Sequence, residues 1–155
     1  MAVPYQELLD EAIAWRKANG LQVQPACRGE AIEALRQRSK SELGADVPAD
    51  YCSFLQLSNG LSSTGLVVYA SETVPIAGYD DRFIEGFVEA NLGWRDYEPN
   101  RAFLFFGEDG IRLFAFELPQ SRYQVLDRQS GSLIQTVPTF NHLLSEALKS
   151  NRPRW

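Results

Sequence analysis

The sequence is poor in the side chains that most often build metal sites and catalytic nucleophiles. It has one histidine, one methionine and two cysteines among 155 residues. The cysteines, Cys27 and Cys52, form no C-x-x-C pair, so their spacing indicates neither a zinc site nor a redox motif. Two isolated cysteines also make no disulfide framework, which favours a reducing compartment.

Long hydrophobic runs are absent as well. No segment reaches the roughly 20 apolar residues that a membrane-spanning helix needs. The first 15 residues are acidic and amphipathic, without the basic start and the apolar stretch of a secretory leader. We therefore expect a cytoplasmic protein that does not enter a membrane.

The chain does have enough apolar and aromatic residues for one substantial core. Hydrophobic residues make up 45% of the sequence and aromatic residues 12%. A chain of this length buries such a core without help from disulfides or metals. We expect a single domain over residues 1–155.

Negative charge is distributed unevenly along the chain. The net charge is −5, to which residues 1–69 contribute −2, residues 70–118 contribute −6 and residues 119–155 contribute +3. An acidic middle segment disfavours direct binding of nucleic acid or of an anionic membrane, and it suits a basic partner.

Apolar residues recur at helical spacing in five segments. Pro48 suits the first turn of the third segment, because its missing N–H would have no partner there, and Asn59-Gly60 ends that helix. Gly44 fits a C-terminal cap for the second segment, and Thr139 fits an N-terminal cap for the last. The predicted helices span residues 5–17, 29–43, 48–58, 80–92 and 139–148, and the tail 150–155 is predicted to be frayed.

Short apolar runs between these helices predict strands. Two strands form a hairpin at 102–118, in which Asp109-Gly110 would supply the positive φ of a tight turn. A second hairpin covers 122–137 and turns around 127–131, while 66–69 reads as a buried strand and 73–76 as an edge piece. Because the connections are short turns, we expect an α+β fold with an antiparallel sheet of four to six strands flanked by helices.

Cys52 and the single histidine, His142, could form a nucleophile and base pair with an acid such as Asp50. Against this interpretation, Cys52 lies among aromatic residues on its helix, without a flanking basic residue that would lower its pKa. An unreactive, partly buried thiol is the simpler explanation. We therefore predict no catalytic residues, no cofactor and no metal site.

The acidic middle segment offers a different kind of site. In the predicted helix 80–92 the acidic residues would form an outward ridge, and two aromatic residues follow it. A solvated helix face and the edge of the core are the simple explanations of these features, and a recognition surface is the functional one. The predicted partner-binding residues are Asp80, Asp81, Glu85, Glu89, Trp94, Asp96, Tyr97, Glu98, Glu108 and Asp109.

A series of short motifs resembles the SUKH superfamily. Five dipeptides follow one another in the order typical of that family: Leu43-Gly44, Val47-Pro48, Asp50-Tyr51, Phe54-Leu55 and Asn59-Gly60. The segment 103–118 is similar to the family's strand, glycine-acid-glycine turn and second strand, and 139–148 to its closing helix. The resemblance covers about residues 29–149 and leaves the N-terminal helix within 1–20 outside it. Leu61 is a departure, because the family often has a second glycine there.

The resemblance implies a function in binding, without catalysis. Similar members of the family are mostly bacterial immunity proteins, which bind and neutralise toxin domains delivered between competing cells, many of them nucleases. For this chain it implies an immunity protein that forms a stoichiometric complex with a cognate toxin domain. The acidic middle segment favours a basic toxin domain, and a monomer is the favoured state of this protein. Other members are regulatory binding proteins, so a cytoplasmic binding module with a non-toxin partner is the alternative.

Overall fold

The computed structural model describes residues 4–153 of the chain. The helices within that range are α1 Tyr5–Ala18, α2 Gly29–Arg38, α3 Ala49–Leu55, α4 Phe87–Trp94 and α5 Phe140–Ser150. A π-helical turn, Ser39–Leu43, continues α2, and a 3₁₀ turn, Glu98–Ala102, follows α4. Two predicted caps are confirmed: Gly44 ends the π-helical turn with a φ of 71°, and the hydroxyl of Thr139 accepts a hydrogen bond from the N–H of His142.

The strands of the described range form two sheets. They are β1 Leu61–Ser63, β2 Leu66–Val68, β3 Val74–Pro75, β4 Phe83–Ile84, β5 Phe103–Glu108, β6 Arg112–Glu117, β7 Arg122–Asp127 and β8 Leu133–Val137. β3 pairs with β4, and the other six strands form one antiparallel sheet in the order β1-β2-β5-β6-β7-β8. The predicted α+β fold with an antiparallel sheet is confirmed.

Aromatic side chains of α3, α5 and β5 form the centre of the core. The ring of Tyr51 lies 5.2 Å from that of Phe106, which in turn lies 5.4 Å from that of Phe140. Tyr51 is completely buried, and its hydroxyl donates a hydrogen bond to the carbonyl oxygen of Tyr69, 2.6 Å away. Burial of each such side chain contributes about 1.5–3 kcal/mol. The aromatic residues on α3 therefore serve the packing of the domain.

The six-stranded sheet has an inner face under α5 and an outer face on the opposite side. Phe114 on β6 and Phe140 on α5 line a small apolar cavity between helix and sheet. Successive residues of a strand point to opposite faces. Leu113 therefore belongs to the outer face, together with Glu108, its partner across the β5–β6 pair.

Helix α4 lies along the edge of β5. The side chain of Asn91 is fully buried; it donates a hydrogen bond to the carbonyl oxygen of Phe105 at 2.9 Å and accepts one from the N–H of Phe105 at 2.7 Å. The amide of Asn91 thus takes the place of a neighbouring strand. This contact holds α4, with Glu89 and Trp94 on it, beside the outer face.

The predicted helix over 80–92 is wrong in its first half. β4 pairs with β3, and the N–H of Phe87 donates a 2.8 Å hydrogen bond to the carbonyl oxygen of Ala70, so the chain is extended up to Gly86. Position 86 requires glycine, because a Cβ there would lie 2.6 Å from the Cα of Glu72. The predicted acidic ridge is therefore not a helix face: of its members Asp81, Glu85 and Glu89, only the last lies on α4.

The β5–β6 turn also differs from its prediction. Gly110 does not have a positive φ. The turn is held instead by the carboxylate of Asp109, which accepts hydrogen bonds from the N–H groups of Ile111 at 3.0 Å and Arg112 at 2.8 Å. A side chain that satisfies two main-chain donors stabilises the turn without left-handed backbone.

The first residues of the predicted tail contact the rest of the domain. Arg152 forms a 2.9 Å salt bridge with Glu11 on α1, and Pro153 is buried. Asn151 donates a 3.1 Å hydrogen bond to Asp109. Residues 154–155 of the predicted tail lie outside the described residues.

Candidate functional site

A cleft of about 480 Å³ opens on the outer face of the sheet. Trp94 and Tyr97 line it from α4 and the segment after it, and Arg128 lines it from the β7–β8 turn. Leu113 of the sheet, which is buried, also contributes to the lining. Trp94 is half-buried, whereas Tyr97 is 66% exposed. The two side chains therefore form an aromatic wall of the cleft that is partly open to solvent.

Three glutamates from three different elements gather beside this cleft. Glu85 follows β4, Glu89 lies on α4 and Glu108 ends β5. Partial burial raises the pKa of Glu85, and the negative charges of Glu108 and Glu89 raise it further. The main-chain oxygen of Glu85 accepts a 3.0 Å hydrogen bond from the N–H of Ala70, and the hydroxyl of the adjacent Tyr69 donates to Glu108, so the two residues are attached to neighbouring positions. We call these three residues the carboxylate cluster.

Both carboxylate oxygens of Glu108 have a hydrogen-bond partner. Its carboxylate accepts a 2.6 Å hydrogen bond from the hydroxyl of Tyr69 and a 3.0 Å hydrogen bond from Arg128. The indole N–H of Trp94 donates to the same hydroxyl at 2.9 Å. Burial raises the pKa of Tyr69, and the charge of Glu108 adds to that rise, so the phenol stays protonated and able to donate.

Glu89 is held by an ion pair with Arg38. One of its carboxylate oxygens lies 2.6 Å from the guanidinium of Arg38, while the other is buried and has no hydrogen-bond partner. The Arg38 pair links α4 to the end of α2. Glu89 thus has a structural role in addition to its place in the cluster, and Glu85 is the member without an ion pair among the described residues.

The remaining predicted partner-binding residues divide into two kinds. Four acidic residues are exposed near the cleft or on the β3–β4 hairpin: Asp80, Asp81, Asp96 and Glu98. Asp109 differs from all of them, because it is buried. The predicted set is therefore brought only partly onto one accessible surface.

Asp109 is bound inside the protein. Its carboxylate lies 2.6 Å from the guanidinium of Arg112, whose side chain is only 13% exposed, and also accepts the hydrogen bond from Asn151. Burial by itself raises the pKa of Asp109, but the hydrogen bonds from Arg112, Asn151 and the backbone outweigh it, so the pKa lies below its ordinary value. A carboxylate satisfied in this way stabilises the turn and has no free oxygen to offer a partner.

Tyr69 and Arg128 belong to the site but were not predicted from the sequence. Tyr69 directly follows β2, and the sequence pattern indicates only that it belongs to a buried strand. Arg128 lies in a turn whose composition indicates nothing beyond a hairpin. Both contact Glu108 because the fold brings β2, β5 and the β7–β8 turn next to one another. No spacing along the chain predicts that these three elements are neighbours.

The geometry does not support a Cys52–His142 pair. Burial raises the pKa of the Cys52 thiol, and the nearby Arg36 offsets this only in part. The Nδ1 atom of His142 lies 2.8 Å from the hydroxyl of Thr139, at the start of α5. Within residues 4–153 no hydrogen bond joins the side chains of Cys52 and His142.

Within residues 4–153 no group of three or more His, Cys, Asp or Glu side chains is arranged to hold a metal ion. No helix there combines the length and the apolar character needed to cross a membrane.

The sequence was also compared with known proteins. No model of a protein family matches it, and no curated protein matches it with significance. The resemblance to the SUKH superfamily therefore depends on the dipeptide motifs and on the order of elements alone.

Proposed function

We propose that this protein is an immunity protein of the SUKH type, which neutralises a basic toxin domain by binding it at the outer face of the sheet. The observation that carries the proposal is the position of the carboxylate cluster next to the cleft: Glu108 is bonded to Tyr69 and Arg128, the main chain of Glu85 is bonded to that of Ala70, and Glu89 lies on α4 with Trp94. A surface that brings acidic residues of three elements together suits a partner with clustered lysine and arginine.

The basic residues of the acidic middle segment do little to neutralise this surface. Residues 70–118 contain four arginines. Arg112 is paired with the buried Asp109, and Arg95 donates its hydrogen bonds to the main-chain oxygens of Leu43 and Phe103. The guanidinium groups of Arg112 and Arg95 are bonded to partners within the fold. The accessible part of the segment is therefore more acidic than its composition indicates.

The same surface supplies aromatic contact area. Tyr97 is exposed, and Trp94 presents part of its ring to the cleft while its N–H is fixed on Tyr69. Tryptophan and tyrosine contribute a large share of the energy in many protein interfaces. In a nuclease toxin the groove that binds phosphates is basic, and the carboxylate cluster would occupy it in place of the nucleic acid.

Binding to the toxin domain encoded beside this protein tests the proposal. We expect tight one-to-one binding by calorimetry, loss of the toxin's activity in the complex and an association rate that falls with salt. Glu85→Lys should weaken binding by about tenfold or more, because it reverses a charge in the middle of the cluster. Glu85 is the better position for this change, since reversal at Glu89 would also break the pair with Arg38.

Asp10→Lys is the matched control. Asp10 is exposed on α1, and the substitution makes the same change in net charge away from the cluster. Equal binding by the Glu85→Lys and Asp10→Lys proteins would show that the cluster is not the interface. No binding of the wild type to the toxin domain, with capture of a housekeeping protein instead, would favour the regulatory binding module.

A further inference from the structure

Two aromatic side chains lie exposed on the β3–β4 hairpin. Phe83 is 56% exposed and Tyr79 is 40% exposed. Both belong to one short segment, residues 74–84, which we call the arm. Large aromatic side chains are among the residues that gain most from burial, so two of them exposed on one hairpin favour a contact surface.

The arm is held in place before any partner binds. Ile76 and Ile84 are buried in a small apolar cluster at its base. The N–H of Ile76 donates a 2.8 Å hydrogen bond to the carbonyl oxygen of Arg82, and the N–H of Ala77 donates a 2.5 Å hydrogen bond to the side chain of Gln24. A preformed arm loses little conformational freedom on binding, which favours affinity.

The arm and the carboxylate cluster face the same side. Exposure alternates along the extended residues 83–86: Phe83 and Glu85 are exposed, whereas Ile84 and Gly86 are buried. In extended backbone, residues two positions apart point to the same side. Phe83 therefore points to the side of Glu85, the member of the cluster that follows β4.

Charge on and around the arm is almost entirely negative. The segment 70–89 has a single basic residue, Arg82, against the acidic residues Glu72, Asp80, Asp81, Glu85 and Glu89. The guanidinium of Arg82 lies 5.1 Å above the ring of Tyr79, a cation–π contact that holds both side chains. A basic partner surface is therefore complementary to the whole of this segment.

We propose that Phe83, with Tyr79 beside it on the arm, is the apolar anchor with which this protein docks its basic toxin domain, an inference that depends on the function proposed above. The partner surface that fits has lysine and arginine residues around an apolar depression large enough for a phenyl ring. The cations contact Asp80, Asp81 and Glu85, the member of the carboxylate cluster without an ion pair among the described residues, and the depression receives Phe83. Burial of one such ring at the centre of an interface has a large effect on affinity.

The test compares Phe83→Ser with Ile134→Ser. Ile134 is an apolar residue on β8 with a similar exposure, 52%. Three strands of the sheet separate β8 from β2, which lies beside the arm, so Ile134 is far from the proposed anchor. The purified toxin domain, made catalytically inactive, is the probe. Phe83→Ser should raise its Kd at least about tenfold, mainly through faster dissociation, while Ile134→Ser binds like the wild type. Melting temperatures should stay within about 2 °C of the wild type, because both side chains are exposed.

Salt dependence separates the arm from the cluster. Phe83→Ser removes no charge, so the association rate of this variant should depend on salt as strongly as that of the wild type. The association rate of Glu85→Lys should depend on salt less strongly. If the wild type binds and Phe83→Ser binds as tightly as Ile134→Ser, the arm is not the anchor and the proposed function stands. If the wild type does not bind the toxin domain, the proposed function fails and the arm loses its partner with it.

Discussion

Glu108 and Asp109 are neighbours in the chain, but they belong to two regions of opposite character. Asp109 is buried in the β5–β6 turn, where Arg112, Asn151 and two backbone N–H groups satisfy its carboxylate. Glu108 lies in the carboxylate cluster with Glu85; Tyr69 and Arg128 bind the carboxylate of Glu108, whereas Glu85 has no ion pair among the described residues. The pKa of Asp109 is lowered by its surroundings, and that of Glu85 is raised.

The difference between these regions shows why a count of acidic residues does not identify an interface. A carboxylate that has all its partners within the fold contributes to stability and is not available to another molecule. A carboxylate placed beside other carboxylates costs stability, and a cation from a partner relieves that cost. Stability–function trade-offs of this kind are common at binding sites.

The largest expected effect comes from removing the carboxylate of Asp109. Asp109→Ala leaves the guanidinium of Arg112 without its counter-charge in a nearly buried position, so we expect the free energy of unfolding to fall by about 3 kcal/mol. Urea denaturation near neutral pH measures this change. Asp81→Ala is the control, since Asp81 is exposed on the arm and should change stability by less than about 0.5 kcal/mol. Similar losses in both proteins would remove the distinction between the two regions.

A smaller effect is expected within the outer face. Tyr69→Phe removes the hydroxyl that donates to Glu108 and accepts from Trp94, so we expect a loss of about 1.5 kcal/mol. The same denaturation experiment on Tyr79→Phe provides the comparison, because Tyr79 is exposed and should tolerate the change. An unchanged stability in Tyr69→Phe would mean that Glu108 is not held by this hydrogen bond.

The smallest expected effect is on the pH dependence of stability, which should have opposite signs for Asp109 and Glu85. The lowered pKa of Asp109 means that its contribution to stability is complete above the ordinary value of 3.8 and is lost as the pH falls through the folded-state value. The raised pKa of Glu85 has the opposite consequence: its contribution is complete below the ordinary value of 4.5 and is lost as the pH rises through the folded-state value.

Two neutral variants measure that difference. The destabilisation caused by Asp109→Asn should shrink between about pH 7 and about pH 3, whereas Glu85→Gln should be more stable relative to the wild type at about pH 7 than at about pH 4. Denaturation curves at these pH values give both differences. The same sign of pH dependence in both variants would contradict the assignment of the two carboxylates to different regions.

Most of the elements could be predicted from short patterns. The helices at residues 5–17 and 29–43 and the two hairpins have their periodicity, caps and turns within a few positions, and the structure has them close to those bounds. The helix at 80–92 failed because Phe83 and Ile84 match a helical spacing as well as an extended one. Gly86 was the available signal against it, because glycine in a helix interior costs stability.

The site was predictable only in part. The acidic content of residues 70–118 pointed to Glu85, Glu89 and Glu108, but their convergence depends on β4, α4 and β5 meeting at one place. Asp109 could not be told apart from Glu108, although Arg112 lies only three positions away, because the burial of the turn and the hydrogen bond from Asn151 depend on the fold. Phe83 was expected inside a helix, and the structure exposes it on the arm.

The sequence by itself determined the α+β class, the helices with local caps, the hairpins and the acidic bias of the middle segment, because periodicity, capping and net charge depend on residues within a few positions. Only the tertiary structure decided which carboxylates are neutralised and which remain available. Electrostatic interactions and burial act through space, so the state of each carboxylate depends on elements that the fold brings from distant parts of the chain.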